Sequence, residues 1–216
     1  MVSGRNRTAR YGRRIRDYYE DLWEGLTGEL EPPLLGPRLA FLRDEVRPGD
    51  RALDLGCGTG EFTAALAEAG AQAVGADVAE AALARARARN LGAHPLIDFR
   101  LVPIDGPLPF EVGAFDLVWA SEVIEHVADT ARWLSEVRRV LAPRGRLLIT
   151  TPSHGRLLLA IGGIERYSEP LGDHLHLYSK RSLRSLLDDF GFAAIEVRAV
   201  DGPPLLKRSL FARASR

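Results

Sequence analysis

The chain has 216 residues, 46% of them hydrophobic and 27% charged, with a formal net charge of zero. That length fits one domain able to bury a real core, and the neutral balance excludes a globally basic nucleic-acid binder. A single cysteine, Cys57, excludes an internal disulfide, and with no apolar leader and no apolar run of membrane length (Leu157 to Ile161 is far too short) a cytoplasmic protein without a transmembrane segment is expected. The chain opens on Arg5, Arg7, Arg10, Arg13, Arg14 and Arg16, all before the first acid, Asp17. This arm reads as solvated and partly disordered; its functional alternative is contact with an anionic substrate, RNA or a membrane surface. From Tyr11 to Val46 the pattern is helical but interrupted. Ile15, Tyr18, Tyr19, Leu22, Trp23 and Leu26 recur at three- and four-residue spacings, Pro32, Pro33 and Pro37 break the run, and "RLAFLRDEV" resumes it.

From Arg51 the pattern alternates. "RALDL" is a strand, "EFTAALAEAG" a helix closed by Gly70, "AVGADV" a strand and "AEAALARARARN" a helix. "IDFRLVP" and "AFDLVWA" are strands three and four. "DTARWLSEVRRVLAPRG" is a helix with Leu134, Val137, Val140 and Leu141 on one face, ended by Pro143 and Gly145, and "RLLITTP" is strand five. "SHGRLLLAIGGIERYSEPLGDHLHLYS" is a long connection of the kind that covers a substrate. "KRSLRSLLDDFG" is a helix, and "FAAIEVRAV" and "LLKRSLFARA" are two last strands joined by "DGPP". Strands alternating with helices predict an α/β fold with a doubly wound, seven-stranded, mostly parallel sheet and an antiparallel last pair. Residues 1–46 are expected to form the basic arm and a helical lid of the same domain as residues 47–216.

"LDLGCGTGEF" places Gly56, Gly58 and Gly60 beyond the carboxyl end of the first strand, where open parallel sheets bind ligands. Glycine permits positive φ and removes the Cβ that a ligand would meet. Asp77 ends the second strand, where a carboxylate can accept both hydroxyls of a ribose. A nucleoside-bearing cofactor is expected. The spacing G-C-G-T-G is one residue shorter than the dinucleotide fingerprint, and Asp54 beside the loop opposes a pyrophosphate but suits a cation.

"VRPGDRALDLGCGTGEFTAALAEAGAQAVGADVAEAALARAR" and "LPFEVGAFDLVWASEVIEHVADTARWLSEVRRVLAPRGRLLITTP" resemble the class I S-adenosylmethionine (SAM)-dependent methyltransferases, over roughly residues 45 to 200. The broad small-molecule type is meant, similar to quinone-pathway O-methyltransferases, with a Rossmann-like fold. The resemblance implies that Gly56, Gly58 and Gly60 pass the methionine part of SAM, that Asp77 followed by Val78 binds the ribose, and that Asp54 orders the loop near the cationic amino group. Cys57 is a small loop residue beside the cofactor. At the adenine edge this chain departs from its relatives: Ile104 holds the usual acid position and Asp105 follows it. Asp105 makes the contact, or Ile104 packs on the ring.

In "ASEVIEHV", Ser121 and Glu122 fall at the fourth strand's carboxyl end, toward the cofactor. Glu122, Glu125 and His126 lie at i, i+3 and i+4. His126, with Glu122, is the candidate for taking a proton from a hydroxyl acceptor; the alternative is that Glu125 and His126 brace the fold. "EVIEH" also resembles the E-x-x-E-H of quinone-pathway and small-RNA 2′-O-methyltransferases, where these side chains with a later histidine, here His174 or His176, can hold a divalent ion. The same letters occur in many relatives not known to need a metal, so no metal ligand is assigned. An acceptor pocket is expected from Tyr18, Tyr19 and Trp23, from Trp119 to Glu122, and from His154 to Tyr178. The expected activity is methyl transfer to a hydroxyl, or to an amine or carbon, of a small-molecule or lipid-like acceptor, by a monomer or homodimer. RNA 2′-O-methylation and a SAM-binding regulator without turnover are the rivals.

Overall fold

The computed structural model describes residues 5–28, 32–90, 96–104, 106–154, 174–203 and 207–216. Its chain clusters into two units, Met1–Glu111 and Val112–Arg216. The first holds helices α1 (Arg5–Gly25) and α2 (Leu35–Glu45), then β1 (Arg51–Leu55), α3 (Glu61–Glu68), β2 (Gln72–Asp77), α4 (Glu80–Arg89) and β3 (Ile97–Leu101). The second holds β4 (Phe115–Ser121), α5 (Thr130–Val140), β5 (Leu141–Pro152), α6 (Lys180–Asp189), β6 (Ala193–Val200) and β7 (Ser209–Ser215). The seven strands form one mixed sheet in the order β3-β2-β1-β4-β5-β7-β6, a Rossmann-like arrangement.

In the first unit β1 pairs parallel with β2, and β2 with β3. Leu53, Leu66 and Leu83, one each from β1, α3 and α4, are fully buried. Gly75 on β2 is required by packing: a Cβ there would lie 2.6 Å from Phe99 Cδ1 and 2.8 Å from Thr63 Oγ1. In the second unit β4 and β5 are parallel, while β7 runs antiparallel to both β5 and β6. The final pair is antiparallel as expected, but β7 lies inside the sheet and β6 at its edge. Leu134, Val137 and Val140 bury the predicted face of α5.

Three boundaries differ from the sequence reading. The basic arm is helical from Arg5 onward rather than disordered. Pro37 does not break α2: it sits in the helix's first turn, where a backbone N–H has no partner to lose. Helix α5 ends at Val140, and Leu141 is extended, opening β5 opposite Phe115. Pro143 disfavours helical backbone at Ala142, so the chain leaves the helix earlier than the apolar face suggests. Most of the long connection, residues 155–173, and the Leu157 to Ile161 run lie outside the described residues, as does Asp105. No described helix is long and apolar enough to cross a membrane.

Candidate functional site

In the first unit the glycine loop hangs on the end of β2. The N–H groups of Gly56 and Cys57 both donate to the Ala76 carbonyl, at 2.7 and 3.0 Å, and the Gly60 N–H closes a turn on the Cys57 carbonyl at 2.9 Å. Gly56, Gly58 and Gly60 have φ of +81°, +52° and +80°. Gly60 also has no room for a side chain, since a Cβ would meet Asn90 Nδ2 at 3.0 Å, Phe99 Cζ at 3.1 Å and the Ala86 Cβ at 3.2 Å. Asp77 ties the loop to the start of α4. Its Oδ2 accepts from the Gly58 N–H and its Oδ1 from the Ala79 N–H, both at 3.0 Å. Val78, between them, is half-buried.

Helix α1 reaches this loop. The Trp23 ring lies 3.2 Å from where a Cβ on Gly58 would stand. The two oxygens of Glu20 accept from the N–H groups of Glu80 and Ala81, at 2.7 and 2.8 Å, and so cap α4. Arg85 in turn donates to the carbonyls of Leu26 and Gly28. Of the three aromatics expected to line an acceptor pocket, Trp23 sits on the loop, Tyr19 is half-buried and Tyr18 is exposed.

The electrostatics of the loop favour positive charge. Asp54 is fully buried and accepts from Thr63 Oγ1 at 2.6 Å. Burial, with the charges of Asp77 and Glu61 behind it, pushes its carboxyl up to about 7 against the pull of the Thr63 bond. Burial also raises Asp77, opposed by its bonds to Gly58, Ala79 and Val78. The Cys57 thiol is driven well above its ordinary value by burial and then by Asp54 and Asp77, so it is a neutral, packed side chain. A cation placed here stabilises the carboxylate form of both acids, whereas a pyrophosphate meets both of them.

In the second unit the "SEVIEH" stretch splits into two groups. Ser121 Oγ and Thr150 Oγ1 lie 2.8 Å apart, and Thr150 donates to Glu122 Oε1 at 3.1 Å. Glu122 has φ of +56°, a strained conformation for a residue with a Cβ. Glu125 is fully buried and accepts from Thr151 Oγ1 at 2.9 Å. Its Oε1 lies 4.0 Å from His126 Nε2, and the His126 and His174 rings meet edge to face at 4.8 Å. The Glu125 carbonyl accepts from the N–H groups of Leu175 and His176, which returns His174 to this place. His154 stands next to His174, 6.3 Å between rings, with its Nδ1 accepting from the Tyr178 N–H and its pKa lowered by burial.

Glu125, His126 and His174 therefore come together, their ligand atoms all within 4.8 Å. Glu122 and His176 lie outside that cluster: the first is held by Thr150, and the second packs 6.2 Å from the Tyr178 ring. A cation about 2.0–2.6 Å from each donor accommodates such separations, and one carboxylate with two imidazoles is a common transition-metal donor set. The residues fit a divalent ion. Sequence reasoning did not find Thr63, Thr150, Thr151 or Glu20. The signal for two of them was on view: adjacent threonines at the carboxyl end of an otherwise apolar strand.

A family model described as a methyltransferase domain matches residues 27–197. The chain belongs to the methyltransferase domain family. It is a SAM-dependent methyltransferase. This methyltransferase is 32% identical to a ubiquinone biosynthesis O-methyltransferase of Hahella chejuensis over 204 residues, 88% of this chain and 84% of the relative. A SAM-dependent methyltransferase structure from Mesorhizobium loti superposes with TM-score 0.67 at 26% identity, covering 83% and 96% of the two chains. The Burkholderia thailandensis 1,6-didemethyltoxoflavin-N1-methyltransferase, with bound 1,6-didemethyltoxoflavin and S-adenosylhomocysteine, shares the fold with TM-score 0.70 at 18% identity, covering 100% of this chain and 91% of that one.

Proposed function

We propose that this methyltransferase transfers the methyl group of SAM to a hydroxyl of a small-molecule or lipid-like acceptor, in the cytoplasm, as a monomer or homodimer. The observation that carries the cofactor half is the pair of hydrogen bonds that Asp77 accepts from the Gly58 and Ala79 N–H groups, beside a buried Asp54 that favours a cation. In this reading Gly56, Cys57, Gly58 and Gly60 pass the methionine part of SAM, Asp77 and Val78 hold the ribose, Asp54 faces the cationic end, and residues 1–46 act as a lid on residues 47–216. Ser121 supports the cofactor as well, and Asp105 remains its adenine contact by sequence position. The identity with ubiquinone biosynthesis O-methyltransferases supports oxygen over nitrogen or carbon as the acceptor atom.

The sulfonium is already activated, so the protein's work is orientation plus removal of one proton. The acceptor oxygen attacks the methyl carbon in line, the carbon–sulfur bond breaks, S-adenosylhomocysteine leaves, and the hydroxyl proton passes to His126. Glu125, fixed by Thr151, orients His126. Glu122, fixed by Thr150, takes a second acceptor contact. A divalent ion, were one held by Glu125, His126 and His174, would supply Lewis acidity toward the acceptor hydroxyl, and His126 would then be its ligand rather than the proton acceptor. Calorimetry with SAM, S-adenosylhomocysteine and NAD tests the cofactor, and S-adenosylhomocysteine formation with hydroxyl and amine acceptors tests the atom methylated. NAD binding without S-adenosylhomocysteine binding overturns the reading.

A further inference from the structure

Helix α1 has two sides with different chemistry. Its inward side is occupied: Glu20 caps α4 and Trp23 rests on Gly58. Tyr18 and Leu22 are one turn apart, and Tyr18 is about 200° around the helix from Glu20, so they point away from the unit. They are 44% and 42% exposed, two large apolar side chains side by side in water. Just before them the same helix carries the arginines at positions 5, 7, 10, 13, 14 and 16 without one acid.

The charge of α1 also runs against its dipole. Arginines occupy the positive N-terminal end, and Asp21 and Glu24 the negative C-terminal end. Both placements oppose the rule that stabilises a helix alone. An anionic surface under the first half offsets the first of them. We propose that α1 docks this methyltransferase onto an anionic lipid surface, with the basic first half of the helix toward the headgroups and Tyr18 and Leu22 entering the interface. A single-stranded RNA would use the arginines but gain nothing from an outward Leu22. The helix lies on the membrane rather than across it, since no described helix is long and apolar enough to span. This places the enzyme where a lipid-like acceptor is found, yet it is measured independently of SAM binding.

Flotation of the full chain with vesicles tests the proposal. Vesicles of phosphatidylcholine containing about one-third phosphatidylglycerol should carry the protein, and pure phosphatidylcholine should not. Raising the salt several-fold should weaken the wild-type interaction steeply. Arg7→Glu with Arg14→Glu should lower the partition by roughly tenfold or more, and Tyr18→Ser with Leu22→Ser should also lower it, with unchanged melting curves showing that both variants fold. Equal binding to the two vesicles, failure to float with the acidic ones, or RNA that displaces the vesicles through the same arginines overturns it.

Discussion

A carboxyl buried beside Thr63 and held at about 7 gives the protein a pH dependence to which Asp54 contributes one part, Asp77 shifting in the same sense. In the unfolded chain Asp54 ionises near its ordinary 3.8, while in the folded protein it stays protonated up to about 7. Across that window the folded state binds more protons, so stability falls as pH rises and levels off above it. Asp54→Asn removes this loss. The variant should match the parent at pH near 4 and exceed it by a few kcal/mol at pH near 8, as read by urea unfolding. The same change deletes the charge proposed to face the cofactor's cationic end, so affinity for S-adenosylhomocysteine should fall while stability rises. Glu122 offers a second test, because its φ of +56° suits glycine. Glu122→Gly should be more stable than Glu122→Ala by about 1 kcal/mol in thermal unfolding, with turnover reduced in both. Asp54, Asp77 and the glycines were legible because their meaning depends on position within a few residues of a strand end. Thr63, Thr150 and Thr151 were not, nor was the choice of His174 over His176: each acquires its role from a partner that only the tertiary fold brings near.

Among the elements, α1 is joined to its unit by Glu20, Trp23 and the Arg85 bonds that follow it. Glu20 satisfies two N–H groups at the start of α4 and joins the two helices. Glu20→Ala should cost about 1 kcal/mol through the lost cap. It should also speed tryptic cleavage after Arg16 and shift the Trp23 emission to the red as the ring leaves Gly58. A helix that merely packed alongside would show the first effect without the other two. The strands and the helices α3 to α6 could be read from apolar periodicity, because a parallel sheet needs nearly continuous apolar strands and its helices need one apolar face. The limits of α1, α2 and α5 could not. A run of arginines reads as solvated whether or not it is helical, Pro37 reads as a break unless its place in the first turn is known, and Leu141 fits the face of α5 although Pro143 has already turned it into β5.

At the scale of the whole molecule, the alternation of strand and helix announced a parallel sheet, but a chain of local patterns carries no strand order. The last two strands read as an edge hairpin, and only the folded sheet shows β7 paired on both sides. That order matters to the chemistry, because β7 buries β5 along the length that presents Thr150 and Thr151 to the two glutamates. All but Ser121 of the residues proposed to hold the cofactor belong to Met1–Glu111, and the residues proposed for proton transfer belong to Val112–Arg216. Binding and turnover should then separate by mutation. Gly60→Ala, which drives a Cβ to 3.1 Å from Phe99 at positive φ, should weaken S-adenosylhomocysteine binding in calorimetry. His126→Ala should leave that affinity unchanged and lower kcat by roughly 10² to 10⁴ at saturating SAM, with loss of the pH dependence that a basic group imposes on the rate. If His126→Ala instead weakened cofactor binding and left the pH profile in place, the histidine would be a structural brace of the Glu125 cluster, and the proton would have to leave by another route.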